Sequence, residues 1–308
     1  MDKNNNRSNL LVLWVRLSRP LFLLGAALLY AMGVGIARYL GVSINWNLYL
    51  IGQAWVTMLQ LSTHFLNEYF DALGDADNLN RTPFSGGSGL LGPGGMPRRV
   101  ALLSGLVCLA GVASLTVLLI ISGRPAPAVY LMMILAFLGS FFYSTPPVSL
   151  ESTGYGELTT SVLVAYLVPA FGFILQTGEL HRLVAMSAFP LTVLHLSMLV
   201  TFELPDYAND IKHNKRTLLV RIGWQNGMVL HNLLVLSAFV ALGLAALFGL
   251  PRFVALPAFL TLPLGLLEIW QMRRIAGGGK PNWTALTLNA VAMFAVMAYL
   301  FTYTFWTH

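Results

Sequence analysis

Long apolar runs separated by short polar joints set the pattern of this chain. Nine runs fall near residues 20–40, 46–66, 100–122, 127–143, 157–177, 186–204, 224–249, 253–271 and 283–306. Each is close to the roughly 17 to 25 residues that carry a helix across a bilayer. The joints at Gly123 to Pro127 and Gly249 to Pro251 hold helix-stopping residues and predict tight turns between antiparallel helices. The expected fold is all-α, a polytopic membrane bundle of about nine helices forming one domain over residues 1–308.

Composition agrees with that pattern. Only 10% of residues are charged and 56% are hydrophobic, with a mean hydropathy of +0.70. A soluble chain carries roughly 25% charged residues. The sequence pI near 9.6 raises the question of nucleic acid. The cations, however, are scattered between apolar runs and form no basic face, so they are assigned to membrane topology. With the N-terminus cytoplasmic, 14 of the 18 Lys and Arg residues, Lys3 and Arg7 among them, fall on that side. Arg38, Arg124, Arg182 and Arg252 fall on the other. An inside excess of Lys and Arg is the expected sign. The single cysteine, Cys108, sits inside an apolar run and offers no disulfide or thiolate metal site. The N-terminal stretch lacks the apolar core and small-residue cleavage site of a signal peptide.

Candidate chemistry gathers where apolar runs end. NEYFDALGDAD at Asn67 to Asp77 holds four of the chain's twelve carboxylates, Glu68, Asp71, Asp75 and Asp77. Asn67, Asp71 and Asp75 are spaced four apart, so on a helix they form one column of oxygen ligands. Asp206, Asp210 and Asn214 repeat the step after a later run. Two such columns facing one another suit a hard divalent cation such as Mg2+, which takes one or two carboxylates, waters and substrate phosphates. A single such run is also what a solvated helix end looks like; two, each directly after a span, favour a diphosphate site. Lys212, Lys215 and Arg216 follow the second column and are cations that a diphosphate would use, although the positive-inside bias alone would also place some of them, and Arg19 reads either as a phosphate ligand or as an interfacial anchor.

Three joints on the carboxylate side, 67–99, 144–156 and 205–223, are expected to cap the site. The first, rich in Gly and Pro, reads either as a lid that excludes water or as a passive loop. Its Gly86, Gly87 and Gly89 resemble a phosphate cradle without the usual strand-to-helix setting. In the second, Pro146 and Pro147 predict an extended path. Tyr143 reads either as a ring facing a carbocation or as part of an interfacial belt. His64 and His195 read either as cavity groups or as hydrogen-bonded packing residues.

These motifs together resemble the UbiA superfamily of intramembrane prenyltransferases, and the resemblance covers essentially the whole chain. Asn67, Asp71 and Asp75 match one motif, and Asp206 and Asp210 followed by Lys215, Arg216, Thr217 and Leu218 match the other. The resemblance implies a helical bundle around a lipid-facing pocket. It further implies Mg2+ held by Asn67, Asp71, Asp75, Asp206 and Asp210, with Lys215 assisting catalysis. An isoprenyl diphosphate would be held by Arg19, Arg81, Tyr143, Lys212 and Lys215 and would alkylate a lipophilic aromatic acceptor. The Lys and Arg count puts both columns on the cytoplasmic side, so the expected location is a prokaryotic cell membrane with the active site facing the cytoplasm. FYSTPP at Phe141 to Pro147, Gly156-Glu157 and the run Pro205 to Gly223 look most like the 1,4-dihydroxy-2-naphthoate branch of menaquinone synthesis. Asn214 departs from that branch's Gly, and Ser149, Glu151 and Ser152 stand in a loop that is usually basic. Pro147, four residues after Tyr143, breaks the Tyr-x-x-x-Lys of the 4-hydroxybenzoate branch. Homogentisate, tetrapyrrole or other acceptors, acceptor-free terpene cyclisation and, from another class, cation-coupled transport are the alternatives.

Overall fold

The computed structural model describes residues 12–91, 95–123 and 125–308. Lys3, Arg7, Gly92, Pro93, Gly94 and Arg124 therefore lie outside the described residues. The helices follow the apolar runs closely. In chain order they are α1 (Pro20–Tyr39), α2 (Trp46–Ala76), α3 (Arg98–Gly123), α4 (Pro127–Ser144), α5 (Gly156–Thr177) and α6 (Arg182–Lys212). The short α7 (Leu218–Ile222) precedes α8 (Trp224–Leu247), α9 (Arg252–Ala276) and α10 (Trp283–Thr307). Among the described residues no strand forms.

Eight of the long helices are apolar enough to cross a membrane, and α2 is the exception. Its Gln60, Thr63, His64, Asn67, Asp71 and Asp75 line a central cavity, which lowers the apolarity of the helix without exposing those groups to lipid. With α2, the bundle comes to nine long helices among the described residues. Leu103, Val107, Ile121, Leu131 and Val240 on the outer faces are exposed and apolar, as lipid contact requires. The chain is an integral membrane protein.

Lipid tails are as apolar as leucine, so helices in a bilayer are held by close packing more than by exclusion of water. The contact of α1 with α5 shows this. A Cβ at Gly33 would stand 1.9 Å from the Pro169 carbonyl oxygen, and one at Gly172 would stand 2.7 Å from that of Tyr30. The two backbones touch because both positions lack a side chain. Pro169 has no N–H for the carbonyl one turn back, and α5 widens into a π turn at Leu163–Leu167 just before it. Behind α6, a polar link joins three helices: His231 Nε2 of α8 and Thr201 Oγ1 of α6 reach Glu268 Oε1 of α9 at 3.2 and 3.0 Å. All three residues are fully buried.

α2 and α6, at 31 residues each, are the longest helices. At 1.5 Å per residue each runs about 46 Å, against a hydrocarbon core of roughly 30 Å. Both overhang on the same face of the bundle, and the overhanging turns carry the two carboxylate columns.

Candidate active site

Asn67, Asp71 and Asp75 all lie on α2 and line the cavity together, so the first column forms. Asn67 turns its amide nitrogen to Asp71 Oδ2 at 2.9 Å and to Glu151 Oε2 at 2.5 Å, an arrangement that orients the column. Asp206 and Asp210 lie on α6 and face the same cavity.

The second column stops short of the expected third member, and the helix terminus explains why. α6 ends at Lys212, and Asn214 takes the left-handed conformation with φ 56°. Asn214 N–H bonds to Ile211 O, and Lys215 N–H bonds back to Asp210 O at 2.9 Å. This pair of reversed bonds is the Schellman terminus, in which Gly or Asn supplies the left-handed residue. Asn214 is a turn residue here rather than a ligand. The turn folds Lys215 back over the helix end, and its Nζ reaches Asp71 Oδ2 at 2.5 Å. Burial opposes the charge on Lys215, yet Asp71, Glu151 and Asp210 around it push its pKa up.

Four carboxylates outside the two columns shape the site. Glu68, buried, pairs with Arg19 and accepts Ser88 N–H and Oγ–H at 2.8 and 2.6 Å. Glu151 accepts Ser144 Oγ–H at 2.9 Å besides Asn67, and burial together with Asp71 lifts its pKa well above the usual carboxylate range. Glu157 Oε1 and Glu203 Oε2 accept the N–H groups of Leu218 and Leu219, while Thr217 Oγ1 accepts that of Val220. The first turn of α7 is thereby fixed to α5 and α6, which anchors the segment carrying Lys215. Sequence spacing did not single out Glu151, Glu157 or Glu203 as site residues. Glu157 stood out only within the Gly156-Glu157 resemblance, Glu151 only as a departure in its loop, and Glu203 only as an acidic residue at a span end.

The joint 78–97, as far as it is described, is a hydrogen-bonded cover. Asn78 Nδ2 donates to Asp206 Oδ1 at 2.7 Å, and Thr82 Oγ1 accepts the N–H groups of Phe84 and Ser85. Phe84 stacks on Phe202 at 6.0 Å and meets Phe22 edge-on at 6.3 Å. Gly87, at φ 69°, lies so near the first column that a Cβ would stand 1.9 Å from Asp75 Oδ2.

Other expected contacts are absent or different. Lys212 is largely exposed, pairs with Asp77 at 2.7 Å and does not line the cavity. It occupies the outward side of the last turn of α6. Arg81 is also outside the cavity: Nε donates to Gly86 O at 2.7 Å and Nη2 to Asp75 O, so it braces the cover. Tyr143 and Arg19 do line the cavity. His64 and His195 line it as well, each with one ring nitrogen tied at 3.0 Å, to Ser18 O and Ser161 Oγ respectively. The path after Thr145 is a turn and not an extended run. Thr145 itself is extended, as a residue before proline must be, and the Pro146–Pro147 bond is cis. Cys108 is buried packing.

The cavity has a volume of about 360 Å3. Asp71, Asp75, Asp206, Asp210, Lys215 and Arg19 stand at one end, and Trp55, Leu59, Leu163, Met198 and Phe294 line the apolar remainder. Among the described residues, no three carboxylate, imidazole or thiol side chains close into a metal cage. The donor set still fits Mg2+, because it is made of hard oxygens and that ion keeps waters and phosphate oxygens in place of a full protein cage. In the structure, protein donors sit on these carboxylates: Lys215 and Asn67 on Asp71, and Asn78 on Asp206.

Residues 26–290 match the UbiA prenyltransferase family. The chain is similar to the 1,4-dihydroxy-2-naphthoate octaprenyltransferase of Bacillus subtilis (strain 168), with 22% identity over 226 residues, 71% of this chain and 68% of that one. In fold it is similar to a UbiA homologue from Archaeoglobus fulgidus bound to GPP and Mg2+, with TM-score 0.70 and 17% identity, covering 96% of this chain and 100% of the other. A UbiA homologue from Aeropyrum pernix K1 in its apo form aligns with TM-score 0.66 and 13% identity over 91% of this chain and 95% of the other.

Proposed function

The chain belongs to the UbiA prenyltransferase family, and from that premise we propose that it transfers a prenyl group from an isoprenyl diphosphate to 1,4-dihydroxy-2-naphthoate or a closely similar hydroxylated aromatic ring. It is a prenyltransferase; donor length and acceptor are the proposal. The observation that carries it is the meeting of two carboxylate columns and Lys215 at one end of a cavity whose remaining walls are mainly apolar. A charged head with a long hydrocarbon tail has that shape.

Asp71, Asp75, Asp206 and Asp210 are the residues that would hold Mg2+, and the ion when bound neutralises diphosphate charge as the allylic C–O bond breaks. Asn67 keeps Asp71 turned toward the cavity. Lys215 and Arg19 offer charge-assisted hydrogen bonds to the diphosphate oxygens. The faces of Phe22, Phe84 and Phe202, clustered beside the carboxylates, attract the positive charge that develops on the allylic carbon. The cover over residues 78–91 keeps water from that carbon. Support for a cytoplasmic active site in a prokaryotic cell membrane comes from the cations, which concentrate on the face that carries the carboxylates.

The test is turnover of labelled geranylgeranyl diphosphate by purified protein in lipid with Mg2+ and a panel of acceptors. Prenylation of the naphthoate is the expected result. Labelled hydrocarbon or alcohol formed without any acceptor would replace transfer by cyclisation.

A further inference from the structure

Arg81, displaced from the cavity, belongs to a second feature. Arg81, Arg274 and Lys280 line one open cleft, with Asn80 and the α10 entry at Asn282 and Trp283. The cleft lies on the face that carries the carboxylate columns, where the cover meets the joint between α9 and α10. No Asp or Glu lines it. Among the described residues, none of the three cations takes part in an ion pair. Arg81 donates to the carbonyls of Gly86 and Asp75, which are dipoles and leave its charge uncompensated. Arg274 lies over the Trp270 ring at 5.9 Å, and Trp283 borders the cleft, so the site sits at the depth where aromatic side chains mark the membrane surface.

We propose that this cleft binds a phosphate group at the membrane surface, the headgroup of an anionic phospholipid or a free diphosphate. Two guanidinium forks and an ammonium around one opening suit the several oxygens of a phosphate, and basic pockets at the cytoplasmic ends of spans hold such headgroups. Because Arg81 also grips Gly86 and Asp75, a phosphate shared with Arg274 and Lys280 ties the cover to the α9–α10 joint. Occupancy of the cleft therefore steadies the cover over the first carboxylate column.

The experiment compares wild type with an Arg274→Gln/Lys280→Gln double variant in nanodiscs of phosphatidylcholine, with and without phosphatidylglycerol. Retained phosphatidylglycerol is counted by native mass spectrometry, and inorganic diphosphate is titrated separately by thermal shift. Arg99→Gln, an exposed cation elsewhere on the same face, is the control for general surface charge, and Arg274→Lys controls for loss of fold. The expected result is phosphatidylglycerol retention that falls about tenfold or more in the double variant, as loss of charge-assisted contacts implies, and persists in both controls. A shift with diphosphate but none with phosphatidylglycerol, lost in the double variant, keeps the phosphate site and identifies the free anion as its ligand. Equal retention by wild type and double variant with a diphosphate shift that is absent or the same size in both, or an equal loss in Arg99→Gln, overturns the proposal. Neither readout depends on prenyl transfer.

Discussion

Lys215 Nζ donates to Asp71 Oδ2 at 2.5 Å, joining residues 144 positions apart and closing the gap between the two carboxylate columns. The contact exists because the end of α6 reverses at Asn214 and because Glu157 and Glu203 anchor α7 directly behind it. Lys215→Met removes a donor from the diphosphate as well as a partner from Asp71. Such charge-assisted contacts to a reacting group are worth roughly 100-fold in turnover. Lys215→Met is expected to lose about that much in kcat/KM for the prenyl diphosphate, with Lys215→Arg retaining a part. Steady-state kinetics in detergent or nanodiscs checks it.

Glu151 gives a pH signature. Burial and the neighbouring Asp71 raise its folded pKa above the ordinary 4.5, so the folded state holds this proton more tightly than the unfolded state does. Where the folded state binds more protons, stability falls as pH rises. The penalty is absent below about 4.5 and grows until pH passes the raised value. Glu151→Gln is expected to gain thermal stability relative to wild type as pH rises through that window and to show no gain at its acidic end. Melting curves across pH measure the difference.

Gly87→Ala tests the cover. The new Cβ would stand 1.9 Å from Asp75 Oδ2 at a backbone φ of 69°, so Asp75 must rotate away or the loop must lift. Either result separates the cover from the first column. Activity is expected to fall about tenfold or more, an effect of roughly 1.4 kcal/mol on the barrier, with the helix content of the purified protein unchanged. An assay paired with circular dichroism distinguishes this from unfolding.

The link behind α6 predicts a double-mutant pattern. His231, Glu268 and Thr201 are fully buried between three helices. Removing Glu268 leaves the buried His231 Nε2 without its nearest acceptor, while Thr201 keeps its bond to Ser197 O, at a cost of about 1–3 kcal/mol for a buried polar group, whereas replacing both His231 and Glu268 with apolar groups is close to neutral. Glu268→Leu is expected to destabilise, and His231→Leu added to it is expected to restore much of the loss. Thermal unfolding of the four proteins in one detergent gives the coupling.

The spans and the two aspartate columns were legible because membrane burial and helical spacing act along the chain. The apolar runs near 20–40 and 283–306 became α1 and α10 almost residue for residue. The directions of individual cations were not legible. Lys212 and Lys215 are three residues apart, and only the left-handed Asn214 between them sends one outward to Asp77 and the other inward to Asp71. Arg81 looked like a substrate ligand because it follows the first column, yet the turn built on Thr82 points it along the cover. Glu151, Glu157 and Glu203 enter the site through contacts between helices far apart in sequence, which no local pattern encodes.

The central claim is that the carboxylate columns hold the diphosphate head through a divalent cation. The most direct measurement is Mg2+-dependent prenyl transfer by Asp71→Asn and Asp210→Asn, one from each column, alongside wild type in the same nanodiscs. Each variant is expected to elute and melt as a folded protein and to lose about 100-fold or more of its turnover. Turnover near the wild-type rate in either folded variant would contradict the account.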